Sequence, residues 1–66
     1  MKGYSSKQII KILLEDGWYQ YGKATGSHHA FKHLYKEGKV IVPHPKKDLP
    51  IGTLKSIEKQ AKIKLL

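Results

Sequence analysis

The chain has no cysteine and no arginine. Without cysteine, disulfides, thiolate-ligated zinc and thiol catalysis are all excluded. Without arginine, the bidentate guanidinium readout of guanine is missing, which argues against a sequence-specific reader of the DNA major groove. Acids are scarce as well. Five of them, scattered along 66 residues, offer no paired carboxylates for acid/base work and no cluster for a two-metal nuclease centre. Apolar runs are short: Ile12-Leu13-Leu14 is far from the length that spans a bilayer. The N-terminus does not follow the pattern of a secretory signal, so the sequence predicts a cytoplasmic protein.

What is present is lysine. Thirteen lysines against five acids give a formal net charge of +8. On a single small domain, expected to span residues 1–66, that excess points to an anionic partner, either nucleic acid or an acidic protein. Lysine attracts phosphate without reading sequence. A chain of this size buries only about 60% of its unfolded surface, so the core must be thin.

The residue pattern predicts the order α-β-β-β-α. Ser5-Ser6-Lys7-Gln8 has the form of a capping box. Ile9, Ile10, Leu13 and Leu14 follow at helical spacing, and Gly17 suits a helix end, predicting a helix from about Ser6 to Asp16. Trp18 to Lys23 alternates as a strand does, and Ala24-Thr25-Gly26 reads as a turn. Ser27 to Tyr35 and Lys39 to Val42 read as two further strands joined at Lys36-Glu37-Gly38. Pro43-His44-Pro45 ends the third, Pro50 suits the first turn of a helix, and Ile51, Leu54, Ile57 and Ala61 trace its apolar stripe. Asp48 reads as structural, its charge favouring the start of that helix. The expected fold is α+β. Two helices cover one face of a three-stranded antiparallel sheet and leave the other wet, the element order of double-stranded-RNA-binding domains.

Histidines are the candidate chemistry, because their ordinary titration lies near neutrality. Alternation along the second strand puts Phe31 in the core with Ser27, His29 and His33 on its side, and leaves His28, Ala30 and Lys32 on the open face. A histidine and a lysine two strides apart on an open basic sheet are placed to meet a phosphate backbone. Gly26 offers no side chain to obstruct that approach. His44, held extended between two prolines, is either a phosphate donor or part of a rigid loop. Lys46 and Lys47 follow it, and with Lys23, Lys32 and Lys55 they extend the positive surface, although each alone is more often a solvated charge. His29 and His33 share a face but lack an evident third ligand, so no metal site is expected.

The run Gly26-Ser27-His28-His29-Ala30-Phe31-Lys32-His33 resembles the glycine–serine–histidine signature of HicA toxins. Glu15-Asp16-Gly17-Trp18 resembles the end of their first helix. Val42-Pro43-His44-Pro45-Lys46-Lys47-Asp48-Leu49, then Gly52-Thr53-Leu54-Lys55-Ser56-Ile57 and Lys59-Gln60-Ala61, resemble their C-terminal half. The resemblance implies a ribosome-independent endonuclease of mRNA, with no cofactor, and a HicB antitoxin that covers its active site. It also implies an operon repressed by the complex. It maps the catalytic histidine onto His28, and the placement of the residues themselves makes Gly26, Ser27, Lys32, His44, Lys46 and Lys47 the candidate RNA-binding set. Two departures stand out: Lys62 follows Ala61 where the family often has glycine, and Leu34-Tyr35-Lys36-Glu37 replaces a short proline-containing loop. The residues alone also admit a non-catalytic RNA-binding domain and a pure interaction protein whose basic surface meets an acidic partner.

Overall fold

Ser5 caps the first helix reciprocally. Its hydroxyl accepts from the Gln8 amide at 3.2 Å, and the Gln8 side-chain oxygen accepts from the Ser5 amide at 2.9 Å. Two donors that a helix start leaves open are thereby satisfied. In the computed structural model, which describes residues 3–22 and 26–66, this helix, α1, runs Ser6–Glu15. Ile9 and Leu13 are fully buried, with Ile10 and Ile12 packed beside them. Leu14, predicted on the apolar stripe, is instead 53% exposed. Asp16 closes the helix, and Gly17 follows with φ +102°, its amide donating to the Leu14 carbonyl at 3.1 Å.

The strands are β1 (Trp18–Gln20), β2 (His28–His33) and β3 (Val40–Pro43), antiparallel in the order β1-β2-β3. Trp18 pairs with His33, Tyr19 with Lys32 and Gln20 with Phe31. On the other side, His28 pairs with Pro43, His29 with Val42, Ala30 with Ile41 and Phe31 with Val40. β1 and β2 are shorter than their sequence predicts, whereas β3 has the expected length but lies one residue later, taking in Pro43. Past β1, one further bond joins the Tyr21 amide to the Ala30 carbonyl at 3.0 Å, and Gly22 then turns the chain with φ +66°. The expectations for Lys23 and for the Ala24-Thr25 part of the turn lie outside the described residues. β2 stops at His33 for a chemical reason. The His33 Nδ1 accepts from the Tyr35 amide at 3.0 Å and from the Lys36 amide at 3.2 Å, capturing donors that a longer ladder would use. Leu34 and Tyr35 are left exposed at the hairpin.

The second helix, α2, runs Ile51–Ala61, with Pro50 at its N-cap and no side-chain cap. Leu54, Ile57 and Ala61 are buried, whereas Ile51 is 40% exposed. Beyond α2 the chain is latched: the Glu58 carboxylate accepts from the Leu65 and Leu66 amides at 2.6 and 2.8 Å. The Tyr4 hydroxyl donates to the Leu65 carbonyl at 2.9 Å. These bonds hold the Glu58 carboxyl below its ordinary range, the Leu66 amide having the largest effect.

Both helices lie against one face of the sheet, giving the α+β architecture expected. Trp18, Phe31, Val40 and Val42 project from the sheet into Ile9, Leu13, Leu54, Ile57 and Ala61. Phe31, 1% exposed, sits on the central strand of this layer. Truncation to alanine there would cost about 3–5 kcal/mol, because a core this thin has little to collapse into the cavity.

Candidate functional site

The register sorts side chains between the two faces. Residues paired directly across strands point the same way, so Trp18, Gln20, His29, Phe31, His33, Val40 and Val42 share the helix side. The opposite set is Tyr19, His28, Ala30, Lys32, Ile41 and Pro43, with Tyr21 joining it through its bond to Ala30. The predicted parity of the second strand holds. His28 and Lys32 are exposed on the open face, with half-buried Ala30 between them.

His28 opens β2, opposite Pro43, and among the described residues its imidazole has no hydrogen-bond partner. Gly26 and Ser27 lead into it and are exposed. Gly26 has φ +58°, and apart from its chain neighbours none of the described residues lies within 4 Å of where its Cβ would stand. The glycine is there for its left-handed backbone. Four residues further along β2, Lys32 holds its ammonium 4.8 Å from the centre of the Tyr21 ring. Tyr21 is opposite Ala30, so this cation–π contact leans the ammonium back along the strand toward His28.

The other histidines are committed elsewhere. The His33 ring, with two amides donating to its Nδ1, carries its proton on Nε2 and donates to the Asp16 carbonyl at 2.7 Å. It also packs edge-on against Trp18. His29 Nδ1 meets the Gln20 side-chain amide at 3.0 Å. His44 is the predicted site residue that the structure does not bring to the open face. Its Nδ1 lies 2.7 Å from the Ser6 hydroxyl, and its ring stands edge-on to His29 with centroids 5.2 Å apart. It follows Pro43 by one residue, and that single step turns it to the helix side. Ser6, 1% exposed, also bonds the Lys46 backbone through both its hydroxyl and its amide. His44 and Ser6 therefore fasten the 44–47 loop to the start of α1. The Lys46 and Lys47 side chains remain exposed at the end of the sheet where His28 lies.

Among the described residues the one ion pair is Lys36–Asp16, at 2.6 Å. Lys36 also donates to the Ala61 carbonyl at 3.1 Å, tying the hairpin to both helix ends. The hydrogen bond from Lys36 holds the Asp16 carboxyl below its ordinary range, burial opposing it and the lysine charge and Trp18 adding to it. No other lysine among the described residues is ion-paired. Among the described residues no group of three His, Cys, Asp or Glu side chains is disposed to hold a metal ion. No helix among them is long and apolar enough to cross a membrane.

The residues that sequence inspection overlooked are Tyr19 and Tyr21. Alternation marks their segment as a strand, but only the register assigns them to the face of His28 and Lys32. Comparison with known proteins agrees with the family resemblance. No curated protein matches the chain. The family described as HicA toxin of bacterial toxin–antitoxin systems matches residues 6–63, most of the chain, from the capped start of α1 to beyond the end of α2. The chain belongs to the HicA toxin family.

Proposed function

We propose that the chain is a metal-independent endoribonuclease that cuts mRNA on the open face of its sheet, with His28 as acid/base catalyst. The observation that carries this reading is the pairing of an exposed His28, without a hydrogen-bond partner among the described residues, with Lys32 on one face of a strongly basic chain. RNA carries its own nucleophile. The 2′-hydroxyl attacks the neighbouring phosphorus, its proton passes to a base, the bond from phosphorus to the 5′ oxygen breaks, and an acid protonates that oxygen. The products are a 2′,3′-cyclic phosphate and a free 5′-hydroxyl, and DNA is spared for want of the nucleophile. His28 takes one of these proton transfers. The Lys32 ammonium stabilises the charge that grows on the phosphoryl oxygens. Lys46 and Lys47 extend the phosphate track, and Gly26 and Ser27 leave it unobstructed. A HicB antitoxin would silence the enzyme most directly by covering this face.

The test is cleavage of end-labelled RNA by wild type and by His28→Ala, with chelator present throughout. Wild type cuts, and the variant loses about 10²–10⁴-fold while keeping its thermal stability. Induced without antitoxin, wild type arrests growth and depletes mRNA, and the variant does neither. Undiminished cutting by a folded His28→Ala protein would overturn the assignment. RNA binding without cutting by wild type would leave a non-catalytic RNA-binding domain in its place.

A further inference from the structure

The open face carries two aromatic rings that phosphate attraction does not require. Tyr19 is 44% exposed, beside Lys32 in the register, and Tyr21 is beside Ala30. Tyr21 follows Tyr19 by two residues, just past the end of β1, which in extended backbone separates them by about 7 Å. Their surroundings differ. One face of the Tyr21 ring is occupied by the Lys32 ammonium, whereas Tyr19 stands at the wet surface. A helix packed on this face would bury Tyr19, but both helices lie on the other side.

We propose that the open face takes single-stranded RNA, with Tyr19 stacking one unpaired base while Tyr21 holds the Lys32 ammonium on the adjoining phosphate. This rests on the ribonuclease reading and names the form of its substrate. An aromatic ring beside a cation on an open sheet suits an unstacked base, which presents a flat apolar surface next to a charged backbone. A duplex hides those surfaces inside its own stack, so Tyr19 contributes nothing to it. The stacked base would lie on Tyr19 at β1, with the adjoining backbone running over Ala30 of the central strand, between Lys32 and His28. The scissile phosphate then falls between the ammonium and the imidazole. Tyr21 acts through Lys32 and is a positioning residue.

The experiment measures affinity in the non-cleaving His28→Ala protein, so that its outcome is separate from whether His28 catalyses cutting. Three probes of equal length are used: a single-stranded RNA, the same strand with abasic riboses, and the RNA duplex. The single strand should bind more tightly than the abasic strand or the duplex. Adding Tyr19→Leu should remove about fivefold or more of that preference, while Tyr19→Phe, which keeps the ring, retains it. Tyr21→Leu should leave the preference for bases intact and reduce the salt slope by about 0.7, one phosphate contact. Circular dichroism checks that each variant keeps its fold, as expected for side chains on the solvent face. An abasic strand or duplex bound as tightly as the single strand, or a preference untouched by Tyr19→Leu, would overturn the proposal. Loss of the preference in Tyr19→Phe would do so too, by showing that the hydroxyl and not the ring is responsible.

Discussion

A Cβ placed on Gly17 would stand 2.7 Å from the Nε2 of His33. That same nitrogen donates to the carbonyl of Asp16, one residue before the glycine. The imidazole thus seals the end of α1 from across the sheet, and glycine is needed twice, for its φ of +102° and for the closeness of the ring. Gly17→Ala should lose at least about 1–2 kcal/mol from the backbone alone, with the clash added. Because the clash depends on the ring, Gly17→Ala should cost less in a His33→Ala background than in wild type. Thermal melts of the four proteins form the cycle. Equal costs in the two backgrounds would show that the backbone strain is the whole effect.

Much of this fold was legible because its signals are local. The Ser5–Gln8 capping box and the Gly17 stop depend on a few neighbouring residues, and both formed as expected. The alternation about Phe31 placed His28 and Lys32 on one face without any knowledge of pairing. What local pattern could not supply was anything decided across strands. His33 ends β2 by taking two amides with its side chain, which no propensity anticipates. Tyr19 and Tyr21 become surface residues beside Lys32 only once the register is known. His44 reads from its flanking prolines as a rigid-loop residue that could also donate to a phosphate, until Ser6, far away in sequence, is found at its Nδ1. Leu14 and Ile51 lie at the edges of their apolar stripes, where a thin core has nothing to cover them.

The Asp16–Lys36 pair makes a small, signed contribution to acid stability. The Asp16 carboxyl titrates lower in the folded protein than in the unfolded chain, chiefly through the Lys36 hydrogen bond. Its stabilisation is therefore complete above the ordinary carboxylate range and is lost as pH falls through the depressed folded value. Both side chains are about a third exposed, and solvent screens the pair, so Asp16→Asn should cost no more than about 1 kcal/mol at neutral pH. The gap between wild type and variant should close as pH drops below about 4. Denaturant titrations across that interval would show it, and a constant gap would mean that the pair is not what Asp16 contributes.

Lys62 occupies a position built for glycine. It follows Ala61 with φ +54°, in the left-handed conformation that ends α2, and its amide bonds back to the Glu58 carbonyl. The side chain is exposed, so the strain is not exchanged for burial. Lys62→Gly should raise stability by up to about 1 kcal/mol, the greater freedom of glycine in the unfolded chain taking back part of the relief. The melting temperature reports it directly. A lower melting temperature for Lys62→Gly would mean that the lysine stem, and not the backbone, governs this turn.

If RNA is held mainly by lysines, its affinity must fall steeply with salt, since each phosphate contact releases condensed counterions. For a single strand the log–log slope is about −0.7 per contact. Lys46 and Lys47 are exposed on a loop whose backbone is fixed by Ser6, so replacing both with alanine removes charge and leaves the loop in place. The double variant should flatten the slope by one to two contacts' worth, about 0.7 to 1.4. It should weaken unrelated RNA sequences alike, because phosphate contacts carry no base information. A HicB antitoxin that covers His28 should compete with RNA for the same face, so adding it should lower RNA affinity in proportion to its occupancy. Titrating RNA against salt for wild type and the double variant, and again with the antitoxin present, measures all three effects. A salt-independent affinity would remove the role given to net charge. A complex that holds both antitoxin and RNA at undiminished affinity, yet does not cut, would place the antitoxin somewhere other than over His28.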